Sequence, residues 1–191
     1  MTGLILAISL VALPGVGPNF PPDQPYIDSL ISQGNIAYLN GDYAKALEFY
    51  QKAYLADENN QNAASNYALT LSELGRDLEG RWFLFDYIQK HPHAAWAWNT
   101  RAVITEKSGD YGKCLLYAQK ALENDPSLSA ARYNIACYLT RLGKRPEALL
   151  ALKDALAEEP GLAELAVWDE DLEGLTAIPV FWALIKDQLN Q

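Results

Sequence analysis

Gly41, Gly75, Gly109 and Gly143 fall 34 residues apart, three intervals in succession with no insertion or deletion. That register constrains the fold more than any bulk property. It means one structural unit copied four times, and such a unit buries its apolar side only against its neighbours. Four blocks follow from it: 27–60, 61–94, 95–128 and 129–162.

Each block reads as helix, turn, helix. In the first, Leu30, Gly34 and Ala37 share a helical face, and Gly41 ends that helix because its C-terminal turn needs a positive φ. Asp42 is placed to accept a bond from the amides that open the next helix. There Ala46, Leu47, Tyr50, Ala53 and Tyr54 recur at helical spacing. Small residues recur before the turn (Gly34, Ala68, Ala102, Ala136) and after it (Ala46, Gly80, Cys114, Ala148). They mark where paired helices cross too closely for a larger side chain. Tyr50, Leu84 and Leu152 fill the wider gap further out, with Ala118 the small exception. Pro92, Pro126 and Pro160 stop the second helices, and Glu58 stands in that place in the first block.

This pattern resembles the tetratricopeptide repeat. Trp98 falls on the repeat's tryptophan position, and Tyr43 and Tyr111 on the aromatic after Gly-Asp. The second copy departs most, with Asp77 for the aromatic, Gly80 for the alanine and Tyr87 for the second alanine; a looser second helix is expected there. The resemblance implies an all-α fold: a right-handed superhelical solenoid of antiparallel helix pairs over 26–162, closed by a C-terminal cap over 163–191. The run Ala163 to Trp168 starts like a fifth repeat, breaks at Asp169 to Leu175, and gives way to a capping helix from Pro179. An apolar stack needs such a cap.

Residues 1–25 do not repeat. Leu4 to Leu13 is apolar apart from Ser9, and five of the chain's ten prolines lie between Pro14 and Pro25. The apolar stretch is too short to span a bilayer as a helix. It has the length of a signal-peptide core, yet no Lys or Arg precedes Lys45. A signal-like leader and a docking tail remain open, so export, membrane association or a cytoplasmic location turn on this segment. Membrane contact is expected only through residues 4–17.

The formal net charge of −9 argues against nucleic acid, which needs clustered Lys and Arg. Eight carboxylates lie between Asp154 and Glu173 with no basic residue among them. They read as a solvated face or as a docking patch for a basic partner. Asp169, Glu170 and Asp171 lack the spacing of a calcium loop and are expected to be solvated. His91 and His93 flank Pro92 without an evident third ligand, and read as loop histidines. Cys114 and Cys137 read as small buried residues. No phosphate loop or nucleophile elbow occurs. Neither a catalytic group, a metal nor a cofactor is expected, and the chain reads as non-enzymatic.

The family lines its concave groove with the first helix of each pair. Carried over by register, the candidate partner-binding residues are Asn35 and Tyr38, then Asn62 and Asn66, then Trp96 and Asn99, then Tyr133, Asn134 and Arg141. Ile31, Ser65, Leu69, Thr100, Val103 and Cys137 share that face. The asparagines can grip the backbone of an extended peptide, since each amide both donates and accepts; the alternative is that they only solvate the helices. Trp96 and Tyr133 are candidate aromatic anchors. One subfamily clamps acidic chaperone tails with two asparagines and three cations. Asn35 and Asn66 match the asparagines, but Ile31, Trp96 and Thr100 hold the cation positions, so acidic chaperone tails are not expected. Trp82 and Phe83 form a candidate second surface, or else cover the second repeat. The expected function is a scaffold that binds a protein or peptide segment in the groove. A structural subunit or assembly factor of a larger, membrane-associated complex is the alternative.

Overall fold

The computed structural model describes residues 23–189. The apolar leader and most of the proline-rich linker, with the readings placed on them, lie outside the described residues. Ten α-helices and one 3-10 turn follow in order: α1 Gln24–Leu39, α2 Tyr43–Ala56, α3 Gln61–Glu73, α4 Asp77–Lys90, α5 Ala95–Glu106, α6 Tyr111–Asn124, α7 Ser129–Arg141, α8 Arg145–Glu158 and α9 Leu162–Trp168, then the 3-10 turn η1 Glu170–Leu175 and α10 Pro179–Leu189. The helix pairs stack as a right-handed superhelical solenoid with a C-terminal capping helix.

The periodic glycines set the turns. All four hold φ between 72° and 76°, a region other residues reach only with strain. At the first turn the Asp42 amide donates to the Ala37 carbonyl at 2.9 Å, closing the helix end. The Asp42 carboxylate then accepts from the Lys45 amide at 3.2 Å and starts α2. Asp110 does the same for Lys113 at the third turn.

The small residues sit where the register places them. Ala46, Ala68, Ala102, Cys114, Ala136 and Ala148 are fully buried. A Cβ on Gly34 would lie 2.5 Å from the Tyr50 ring, so the ring rests directly on the α1 backbone. The second repeat is not loose, contrary to the expectation from its departures. A Cβ on Gly80 would come within 2.9 Å of the Ala68 carbonyl and 3.2 Å of Ile104. Gly80 lets α4 close onto both α3 and α5. Tyr87, in place of an alanine, is buried and packs its ring on Trp96 (4.8 Å between centroids) and His91 (4.5 Å). Aromatic contacts thus fill what the repeat's usual small residue would leave open.

The odd-numbered helices define the inside of the curve. α1, α3, α5 and α7 touch in succession, whereas α2, α4, α6 and α8 make no comparable approach to one another. Polar bonds between repeats follow the same inner line: Ser65 with Thr100 at 2.8 Å, and the Lys107 ammonium to the Ser72 carbonyl at 2.8 Å. At the far end Phe181 and Ile185 of α10, with Leu172 and Leu175 of η1, are buried and close the core. No helix among the described residues is long and apolar enough to cross a membrane.

Candidate functional site: the concave face

Two asparagine pairs bridge neighbouring repeats on the inner face. The Asn66 amide nitrogen donates to Asn35 Oδ1 at 3.4 Å, and Asn35 Oδ1 also accepts the Tyr50 hydroxyl at 2.7 Å. The Asn134 amide nitrogen donates to Asn99 Oδ1 at 3.0 Å. Neither of the two readings of the row accounts for these bonds. In each pair one NH2 and one carbonyl oxygen have no partner among the described residues: the nitrogen of Asn35 and the oxygen of Asn66, the nitrogen of Asn99 and the oxygen of Asn134. An adjacent donor and acceptor is the complement of a peptide group.

The first pair opens into a cleft of about 350 Å³ lined by Asn35, Tyr38, Tyr50, Asn66, Leu69 and Thr70. Its wall is mostly apolar ring and aliphatic carbon, with the amides at one side. Burial raises the Tyr38 and Tyr50 hydroxyls above the ordinary tyrosine range, so both stay neutral donors. Asn62 is exposed at the N-terminal end of α3. Trp96 does not face this cleft. It lines a neighbouring one of about 510 Å³ with Tyr87, His91 and Pro92, half-buried against the Tyr87 ring. His93 in the same loop pairs with Asn124 at 2.9 Å.

The fourth repeat is arranged differently. Tyr133 is buried, and its hydroxyl donates to Asp169 Oδ2 at 2.8 Å. The buried Cys137 thiol points at the same oxygen at 3.7 Å. Tyr133 is therefore no open anchor. Arg141 is exposed but engaged by the Asp171 carboxylate at 3.5 Å and by the Tyr111 ring at 5.0 Å, so it offers no free cation to the groove. Asp169 and Asp171 are half-buried rather than freely solvated, because η1 lays them over α7, whereas Glu170 is exposed as expected.

Glu106 joins this cluster from α5. Burial first, and then the Asp171 carboxylate, push its carboxyl up to about 7. The buried Tyr138 hydroxyl lies beside it without a well-formed hydrogen bond. Both cysteines are free and buried, and burial pushes the Cys114 thiol up to about 12 and Cys137 up as well. Such thiols are poor nucleophiles. Among the described residues no group of three His, Cys, Asp or Glu is placed to hold a metal ion.

The candidate second surface divides. Phe83 turns inward, its ring 5.1 Å from both Tyr54 and Tyr67. Trp82 is 67% exposed and meets Phe85 instead, at 5.7 Å.

The family model described as tetratricopeptide repeat matches residues 27–60. The crystal structure of TTC0263, a thermophilic protein of that family from Thermus thermophilus, superposes with a TM-score of 0.60 at 19% identity, over 86% of this chain and 100% of that one. Residues 27–60 thus match a tetratricopeptide repeat, and the described array has the fold of tetratricopeptide solenoids. The first tetratricopeptide domain of Spaghetti (RPAP3), bound to the HSP90 peptide SRMEEVD, shares the fold with a TM-score of 0.51 at 18% identity, over 65% of this chain and 99% of that one. Protein FlbA of Caulobacter vibrioides is 30% identical over 131 residues, 69% of this chain. The chain spans 22% of the length of that relative. Tetratricopeptide domains bind proteins or peptides, and the array here has the architecture for it.

Proposed function

We propose that this chain is a non-enzymatic scaffold that holds an extended protein segment along α1, α3 and α5 of the concave face, as far as Asn134 of α7. The observation that carries it is the Asn35–Asn66 pair. It offers one unbonded donor and one unbonded acceptor beside a cleft walled by Tyr38 and Leu69. Asn99 and Asn134 offer a second such pair further along. Backbone-directed amides grip a segment with little regard to its side chains, and the apolar cleft takes one side chain of it. The chain supplies an internal precedent, since Asp169 of its own cap occupies the corresponding face of α7.

The HSP90 peptide held by the RPAP3 domain is acidic. Here Ile31, Trp96 and Thr100 stand at the positions where the related clamp has cations, and Thr100 is buried against Ser65. A carboxylate pair would be desolvated there without compensation. The favoured segment is neutral or apolar.

The test is capture from the cells that make the protein, using the full chain with Asn66→Ala and Asn134→Ala combined. Both side chains lie outside the apolar core, so melting and helical signal should hold while capture falls by about tenfold or more. Undiminished capture would overturn the groove as the binding face. An assembly subunit is the second reading, favoured by the exposed aromatic residues on α4.

A further inference from the structure

An exposed cleft of about 380 Å³ lies across α4, α5 and α6, outside the groove. Leu78, Trp82 and Phe85 supply its apolar surface, and the first two are 65% and 67% exposed. Arg81 and Arg101 border it. Arg101 lies over the Tyr117 ring at 4.7 Å and the Phe85 ring at 5.5 Å. Neither arginine forms an ion pair among the described residues, although the chain as a whole carries a net charge of −9. Unpaired cations beside exposed aromatic carbon in an acidic protein mark a surface made for carboxylates next to an apolar side chain.

The same chain presents that chemistry at its other end. On α9, Leu165 is 53% and Trp168 85% exposed, one helical turn apart. Glu164 precedes them and Glu170 follows, both exposed and neither in an ion pair among the described residues. The α9 edge cannot fold back onto its own cleft, because it packs on α8 and α10 while the cleft sits among α4, α5 and α6. Nor does the leader suit the arginines, since residues 1–22 contain no Asp or Glu.

We infer that the acidic, Trp168-bearing edge of one copy docks into the Trp82, Arg81 and Arg101 cleft of a second copy. The two surfaces differ, so the contact is head-to-tail and leaves a free cleft at one end and a free edge at the other. Assembly of this kind grows beyond a dimer unless the rotation closes a ring. Its charge complementarity is surface-exposed and weakens as salt rises.

Sedimentation velocity of the full-length chain over the micromolar range tests this. At low salt the weight-average coefficient should rise with concentration past the dimer value, and added salt should reverse the rise. Arg81→Glu with Trp82→Ala destroys the cleft, and Trp168→Ala with Glu170→Lys destroys the edge. All four residues are exposed or border solvent, and circular dichroism checks that each variant folds. Each variant alone should be monomeric. Mixed, the two should form a heterodimer and nothing larger, because each retains the surface the other lacks. A wild-type chain that stays monomeric would overturn the inference. So would self-association that survives both sets of substitutions, or a mixture that remains monomeric while wild type associates.

Discussion

The two halves of the concave face are built from the same register positions and come to opposite states. Around α1 and α3 those positions hold Asn35, Asn66 and Leu69, which open on a cleft. On α7 Cys137 holds the position of Asn35 and Leu69, Tyr133 lies one turn before it, and a downstream carboxylate occupies both. The fold is not what differs, since both halves have the same helix pairs and the same glycine turns. What differs is whether the described residues provide an occupant. On the proposed reading, the surface that the described residues leave uncovered is the one a partner takes.

The largest effect should come from removing the cover. Phe181 anchors α10 and is fully buried. Phe181→Ala should cost about 3–5 kcal/mol, read as a lower denaturation midpoint. It should also make Cys137 react with a thiol reagent far faster than in the native chain. Slow labelling at unchanged stability would mean that the cap does not depend on this side chain. A smaller loss is expected from Asp169→Ala, which strands the Tyr133 hydroxyl inside the protein. It should cost about 1–3 kcal/mol, and Tyr133→Phe on top of it should recover part of the loss, because both bonding partners are then gone.

The sealed half should also respond to pH. Glu106 has its folded value raised to about 7 from an ordinary value of 4.5. The folded state then holds a proton that the unfolded chain has released. Stability is full below about 4.5, falls as pH rises through 7, and levels off above. Glu106→Gln should remove that fall, and a melting series between acid and neutral pH reads it. An unchanged slope in the variant would place the titration elsewhere. The smallest effect on stability belongs to the open half. Asn66→Ala should shift stability by only about 0.5 kcal/mol, because its bond to Asn35 is long and faces solvent. A large loss there would show the amide row to be structural.

Much of the fold is legible in the sequence because glycine turns and small crossing residues repeat with the backbone. The positions of Gly41 and its copies, the crossings at Ala46 and Ala136, and the capping helix from Pro179 all follow from local rules. The sealing of α7 does not. Tyr133 has the residue type and register of a groove anchor, and only the fold of a non-repeating segment 36 residues downstream covers it. Gly80 reads as a weakness because a missing side chain suggests lost packing, whereas the backbone moves in to use the space. Phe83 and Phe85 lie about 200° apart around α4, so a small rotation of the helix decides which one is exposed. The asparagines are visible as a row, but their pairing across repeats depends on the inter-repeat distance, which no single repeat encodes.

The most direct measurement places a photo-crosslinking phenylalanine analogue at Tyr38, inside the open cleft, and separately at Leu150, 63% exposed on α8. Irradiation is carried out in the cells that make the protein. A discrete protein adduct should form from position 38, weaken when Asn66→Ala is added, and be absent from position 150. Adducts from position 150 alone, or an adduct at position 38 indifferent to Asn66→Ala, would contradict the concave face of the first repeats as the place where a partner is held.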